Sequence, residues 1–173
     1  MRGPSEKFFT DMKKTILITA LFAGLLVISA GFNRQGVRTS LGKPAPDLEI
    51  DSIDSIINSN QSKGHYTLLT FWSATDASSR RAVNQYDAWL RNNRSTSLDI
   101  VSVNLDNSSG LFNEIVRRDN LSADTQFNVS GNEARRIKNR FELGNAYGTM
   151  LINPEGTIVA HNPPADSLSR LIS

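Results

Sequence analysis

The tightest constraint on this chain lies between His65 and Leu105. His65 to Trp72 is a compact apolar run, with Thr67-Leu68-Leu69-Thr70-Phe71-Trp72 at its centre. Its length suits a central strand buried on both faces. A polar stretch follows. Ala82, Val83, Tyr86, Trp89 and Leu90 then recur at three- and four-residue spacing, which lays one apolar stripe along a helix. A second strand pattern runs over Leu98-Asp99-Ile100-Val101-Ser102-Val103-Asn104-Leu105. A helix joining two such strands implies a parallel crossover, and the chain is read as α/β.

The remaining elements follow the same logic. Ser108 to Arg118 predicts a second helix, with Leu111/Ile115 and Phe112/Val116 stacked on one side. Thr125 to Val129 reads as a short strand. Ser130 and Glu133 form a capping-box signal ahead of Ala134, Ile137 and Phe141, with Gly144 as the stop. Tyr147–Ile152 and Thr157–Ala160 flank Asn153-Pro154-Glu155-Gly156. Proline at the second turn position and glycine at the fourth predict a tight hairpin. Pro163-Pro164 punctuates the chain before a terminal helix over Ser167–Ile172. Upstream, Ile53, Ile56 and Ile57 mark a short helix or turn.

Three motifs carry a family resemblance. Leu68-Leu69-Thr70-Phe71-Trp72-Ser73-Ala74-Thr75-Asp76-Ala77-Ser78-Ser79-Arg80 resembles the strand-to-helix junction of the TlpA-like, membrane-associated thioredoxins. There the strand ends in Phe-Trp, and a Trp-Cys-x-x-Cys-Arg segment opens the helix. Gly42-Lys43-Pro44-Ala45-Pro46-Asp47-Leu48 is similar to the Gly-x-x-Ala-Pro-x-Phe lead-in of the TlpA-like and peroxiredoxin-like (redoxin) families. Prolines there favour an extended chain running into an edge strand. The Leu151-Ile152-Asn153-Pro154-Glu155-Gly156 hairpin completes the set. The resemblance covers residues 42–172. It implies a thioredoxin-like fold: a central mixed sheet flanked by helices, in a single domain.

The chemistry of that family is missing. Asp76 and Ser79 stand at the two cysteine positions, and the chain contains no cysteine. In the family the first thiol sits at a helix N-terminus, which lowers its pKa, and the second resolves the mixed disulfide. A carboxylate and an aliphatic hydroxyl do neither, so thiol–disulfide exchange by this chain is excluded. The tryptophan before the first cysteine is Thr75 here. The polar residue of the preceding strand, often Asp or Asn in the family, is Thr70. The proline that faces the cysteines is replaced at or near Tyr147. A non-proline cis bond costs about 3 kcal/mol, so a trans bond is expected there. The resemblance therefore implies a degenerate member, a pseudoenzyme by descent.

The surface the family uses for extended peptides maps onto Trp72, Thr75, Asp76, Ala77, Ser78, Ser79, Tyr147 and Gly148. Each residue has a plainer reading. Asp76 is either the N-cap of the following helix or a contact for an anion or partner. Trp72 and Tyr147 either pack in the core or line the groove. Arg80 and Arg81 either lean on Asp76 or form a basic lip. Ser79 lacks a neighbouring base that would make it a nucleophile. His65 and His161 are isolated, so no metal site and no cofactor are expected. The leading expectation is a peptide- or protein-binding module of the cell envelope. The alternatives are a non-thiol enzyme acting through Asp76 and an assembly scaffold.

The first 30 residues differ from the rest. Met12-Lys13-Lys14 precedes an apolar run from Thr15 to Gly31. The pattern is that of a bacterial secretory signal peptide starting at Met12, or of a short membrane tether over residues 15–31. Residues 31–41 read as a linker and 42–173 as the domain. Residues 1–30 hold four basic and two acidic residues, and the remainder carries fifteen of each. A neutral domain gives no basic face for nucleic acid. The protein is expected to be exported, either periplasmic or anchored in the inner membrane facing the periplasm.

Overall fold

The structure, a computed structural model, describes residues 41–93, 97–144 and 146–173. The signal-peptide and anchor reading of residues 1–31 lies outside them. Five strands form one mixed sheet in the order β3-β2-β1-β4-β5. These are β1 (Tyr66–Trp72), β2 (Leu98–Asn104), β3 (Gln126–Asn128), β4 (Thr149–Ile152) and β5 (Ile158–His161). β1, β2 and β3 run parallel, and β4 and β5 are antiparallel to their neighbours. β1 is central, as its apolar run requires. This is the thioredoxin-like arrangement that the sequence resemblance implied.

Among the described residues, five α-helices cover the two faces. Helix α1 (Asp51–Ser62) and helix α4 (Gly131–Arg140) pack on one of them. Ile53, Ile57, Ala134 and Ile137 meet Leu69, Phe71, Val101, Val103, Met150 and Ile152 there. Phe71 and Phe141 are in ring contact at 4.8 Å between centroids. Helices α2 (Ala77–Asn92), α3 (Ser109–Arg118) and α5 (Leu168–Leu171) supply the rest of the cover. Tyr86 and Leu168 pack on Leu68, Ile100 and Leu151, and Val83 and Ile115 pack on Trp72. The alternation of Leu69/Phe71 with Leu68/Trp72 between the two faces of the sheet is the period-2 rule for a strand. Each fully buried large side chain contributes about 1.5–3 kcal/mol.

Several local expectations change. Of the two readings of Ile53, Ile56 and Ile57, helix or turn, the helix holds, and it runs over twelve residues. Residues 42–45 form no continuous strand. They hydrogen-bond along β5 through Gly42 N, Lys43 O and Ala45 N, with one bridge between Pro44 and Thr157. Prolines at 44 and 46 remove the donors a longer ladder needs. Ser130 is the N-cap of α4, but its side chain makes no capping bond; the Asn107 side chain takes the Gly131 N–H at 3.0 Å instead. Helix α4 stops at Arg140, ahead of Gly144. No peptide bond among the described residues is cis, so the bond before Tyr147 is trans as expected.

Candidate functional site

The β1–α2 junction is built on hydrogen bonds to Asp106, which follows β2. The Ser73 hydroxyl donates to Asp106 Oδ1 at 2.6 Å, and Ala74 N donates to Oδ2 at 2.7 Å. Asn104 Nδ2 adds a third bond at 2.8 Å. Asn128 in β3 then donates to Asn104 Oδ1 at 2.8 Å and to the Asp106 carbonyl at 3.1 Å. Asp106 and Asn104 therefore tie together the C-terminal ends of all three parallel strands, the carboxylate holding those of β1 and β2 and Asn128 bringing in β3. Open α/β sheets take ligands at that end.

The next residues turn outward. Asp76 N donates to the Ser73 carbonyl at 3.2 Å, which closes the turn. Asp76 is the N-cap of α2, its Oδ1 accepting the Ser79 N–H at 2.7 Å. The cap reading of Asp76 holds. Thr75, Ala77 and Ser78 are exposed and Asp76 is half-buried. Among the described residues Asp76 has no ion-pair partner.

Three of the eight expected surface residues, Trp72, Ser79 and Gly148, lie beneath this surface. Trp72 is completely buried, walled by Val83, Ile115 and Leu121, with Phe112 at 6.0 Å between ring centroids. It lines no groove, because its β1 position points it under α2 and α3. Its indole N–H has no hydrogen-bond partner among the described residues. Ser79 is also buried. Its hydroxyl donates to the Asp76 carbonyl at 3.2 Å and accepts from Ser73 N at 3.3 Å. That hydroxyl locks the turn and has no base beside it.

Tyr147 and Gly148 reach the same end of β1 from the other side. The Gly148 carbonyl accepts the Phe71 N–H at 2.9 Å. Tyr147 is half-buried and packs against the α1/α4 core. The Lys138 ammonium stands 5.5 Å from its ring centroid, within cation–π range.

The first of the two arginines behaves differently from expectation. Arg80 does not lean on Asp76. It donates through Nε and Nη2 to Asp119, both at 2.5 Å, and Asn84 adds a bond to the same carboxylate at 3.3 Å. The guanidinium holds the Asp119 carboxyl below the usual carboxylate range. In the core, the Thr149 hydroxyl donates to Thr70 at 3.2 Å. Thr70 thus brings no titrating group under the junction. Burial pushes the Tyr86 phenol up, and its hydroxyl donates to the Pro163 carbonyl at 2.8 Å.

No group of three or more His, Cys, Asp or Glu is placed to hold a metal among the described residues. His65 is paired with Asp99 at 2.8 Å. No described helix is long and apolar enough to cross a membrane. Sequence reading missed Asp106, Asn104 and Asn128. Their signal was positional: polar side chains at the ends of two parallel strands, beside the loop after β1.

No protein-family model matches the sequence, and no curated protein matches it. Solved structures do. A thioredoxin-like protein from Parabacteroides distasonis is 26% identical, with a TM-score of 0.62, covering 79% of this chain and 96% of its own. The thioredoxin domain of a thiol-disulfide oxidoreductase from Bacteroides vulgatus is 17% identical, with a TM-score of 0.64, covering 79% of this chain and 100% of its own. A thiol:disulfide interchange protein from a Bacteroides species is 18% identical, with a TM-score of 0.62, covering 77% of this chain and 90% of its own. The fold is thus the thioredoxin-like fold.

Proposed function

We propose that this domain is an exported binding module. In this reading it takes an extended peptide segment of a cell-envelope protein against Thr75, Asp76, Ala77, Ser78 and Tyr147, and it performs no thiol redox chemistry. One observation carries the reading. The turn over Ser73–Asp76 is held by five hydrogen bonds from residues 73 to 76 to Asp106 and to the turn itself, yet its outward side chains at 75, 77 and 78 are left exposed. The groups that would do chemistry there are occupied or absent. Ser79 is hydrogen-bonded on both sides, and no cysteine exists. A rigid, uncommitted surface at the C-terminal end of parallel strands favours recognition. Main-chain hydrogen bonds of the strand-addition kind would supply affinity. Export rests on the Lys13-Lys14 and Thr15–Gly31 pattern.

The test is in-cell photocrosslinking from the full-length protein with the probe at Ser78. One discrete adduct is expected, lost when the probe sits at exposed Ser55 on α1, and reduced several-fold by Tyr147→Ala and by Asp76→Ala. A folded, exported protein that yields no adduct from position 78, or the same adducts from positions 55 and 78, overturns the reading.

A further inference from the structure

Asp106 lies outside the surface proposed above, but the Ser73–Thr75 backbone that leads into that surface is bonded to it directly or through Ser73. Its two oxygens receive Ser73 Oγ at 2.6 Å, Ala74 N at 2.7 Å and Asn104 Nδ2 at 2.8 Å. Ser73 Oγ then receives Thr75 N at 3.2 Å and meets Thr75 Oγ1 at 3.0 Å. Asp106 makes no ion pair among the described residues. Its role there is that of an acceptor, with the charge strengthening each bond.

We propose that Asp106 is a positioning residue for partner recognition: through Ser73 and Ala74 it sets the conformation of Thr75 and Asp76 that the partner reads. The proposal rests on the binding-module reading and adds the residue that makes the surface preformed. Preorganisation raises affinity because the ordering cost is met before binding. Without the acceptor, Ala74 N loses its partner and the Ser73 hydroxyl loses its 2.6 Å bond, and the 73–76 turn samples other conformations. Helix α2 keeps its own cap on Asp76.

The amide variant separates hydrogen-bond geometry from charge. In Asp106→Asn the amide oxygen can accept from Ala74 N and Asn104 Nδ2. Its NH2 can donate to Ser73 Oγ, whose own proton turns to Thr75 Oγ1. Asp106→Ala can do none of this.

The experiment pairs two readouts on the full-length protein: the crosslinking yield from the Ser78 probe, and hydrogen exchange of the Ala74 amide. Asp106→Ala should speed Ala74 exchange at least tenfold and cut the adduct at least fivefold, with the far-UV circular dichroism unchanged. Asp106→Asn should restore both to within about twofold of the parent. If Asp106→Ala fails to fold, Ser73→Ala replaces it; it removes the 2.6 Å bond and the Thr75 N bond and should cut the adduct in the same direction. Fast Ala74 exchange with an undiminished adduct overturns the positioning role while leaving the binding module standing. Unchanged Ala74 exchange in Asp106→Ala also overturns it. A parent protein that gives no adduct overturns the binding reading, and the positioning role with it.

Discussion

Asp119, at the C-terminus of α3, holds Arg80 in the first turn of α2 through two parallel 2.5 Å bonds. The side chains are 26% and 12% exposed, so this is a shielded fork rather than a loose surface pair. It joins the helix that carries the candidate surface to the helix beside it. It also takes the nearest arginine away from Asp76.

That fork predicts a pH dependence. Arg80 depresses the folded-state pKa of Asp119, and a depressed carboxylate stabilises the fold above its unfolded pKa. The contribution should be full above about pH 4, the ordinary aspartate range, and fall away as the pH drops through the lower folded value. Asp119→Asn should cost about 1 kcal/mol at neutral pH and flatten the stability curve below pH 4. Urea midpoints at a series of pH values measure both.

Asp76 offers a test of cap against chemistry. Its bond to Ser79 N is made by a side-chain oxygen that asparagine also carries. Asp76→Asn should leave stability within a few tenths of a kcal/mol, and Asp76→Ala should cost about 1 kcal/mol. Thermal denaturation of the two variants decides it. A large loss in Asp76→Asn would mean that the charge itself is needed.

Helix α4 ends in a conformation that its residue does not favour. Glu142 has φ +50°. Its N–H donates to the Asn139 carbonyl at 3.2 Å, and Leu143 N donates to the Lys138 carbonyl at 2.9 Å. This bond pair belongs to a motif that usually places glycine where Glu142 stands. Glu142→Gly should therefore stabilise the domain by about 0.5–1 kcal/mol. An increase in the denaturant midpoint without a change in slope would show it.

Trp72 can be examined by fluorescence. In a Trp89→Phe background the remaining indole should emit at short wavelength and resist quenching by iodide, because Trp72 is fully buried. Trp72→Ala should cost about 3–5 kcal/mol. Ready quenching would place the ring at the surface after all.

Much of the fold was legible because it rests on local patterns. The apolar run ending at Trp72, the stripe from Ala82 to Leu90 and the Pro154–Gly156 turn each signal an element from a few neighbouring residues. Ends were less legible. Ser130 and Glu133 carry the capping letters, yet Asn107, distant in sequence, supplies the bond to Gly131 N. Gly144 looked like the helix stop, while Glu142 takes the first left-handed position. The site divided the same way. Asp76 as a cap could be read from its place before a helix. The partner of Arg80 could not, since Asp119 lies 39 residues away.

The absence of cysteine is a matter of composition, and no folding can restore thiol exchange to such a chain. Periodicity and turn chemistry likewise settled the order of strands and helices, because they act over a few residues. Whether Trp72 faced a groove or the core depended on which helices close over the sheet. Which carboxylate held the junction depended on β2 lying beside β1 in register, so that Asp106 emerges next to Ser73 and Ala74. Both are contacts between segments distant along the chain, and only the tertiary structure brings such segments together.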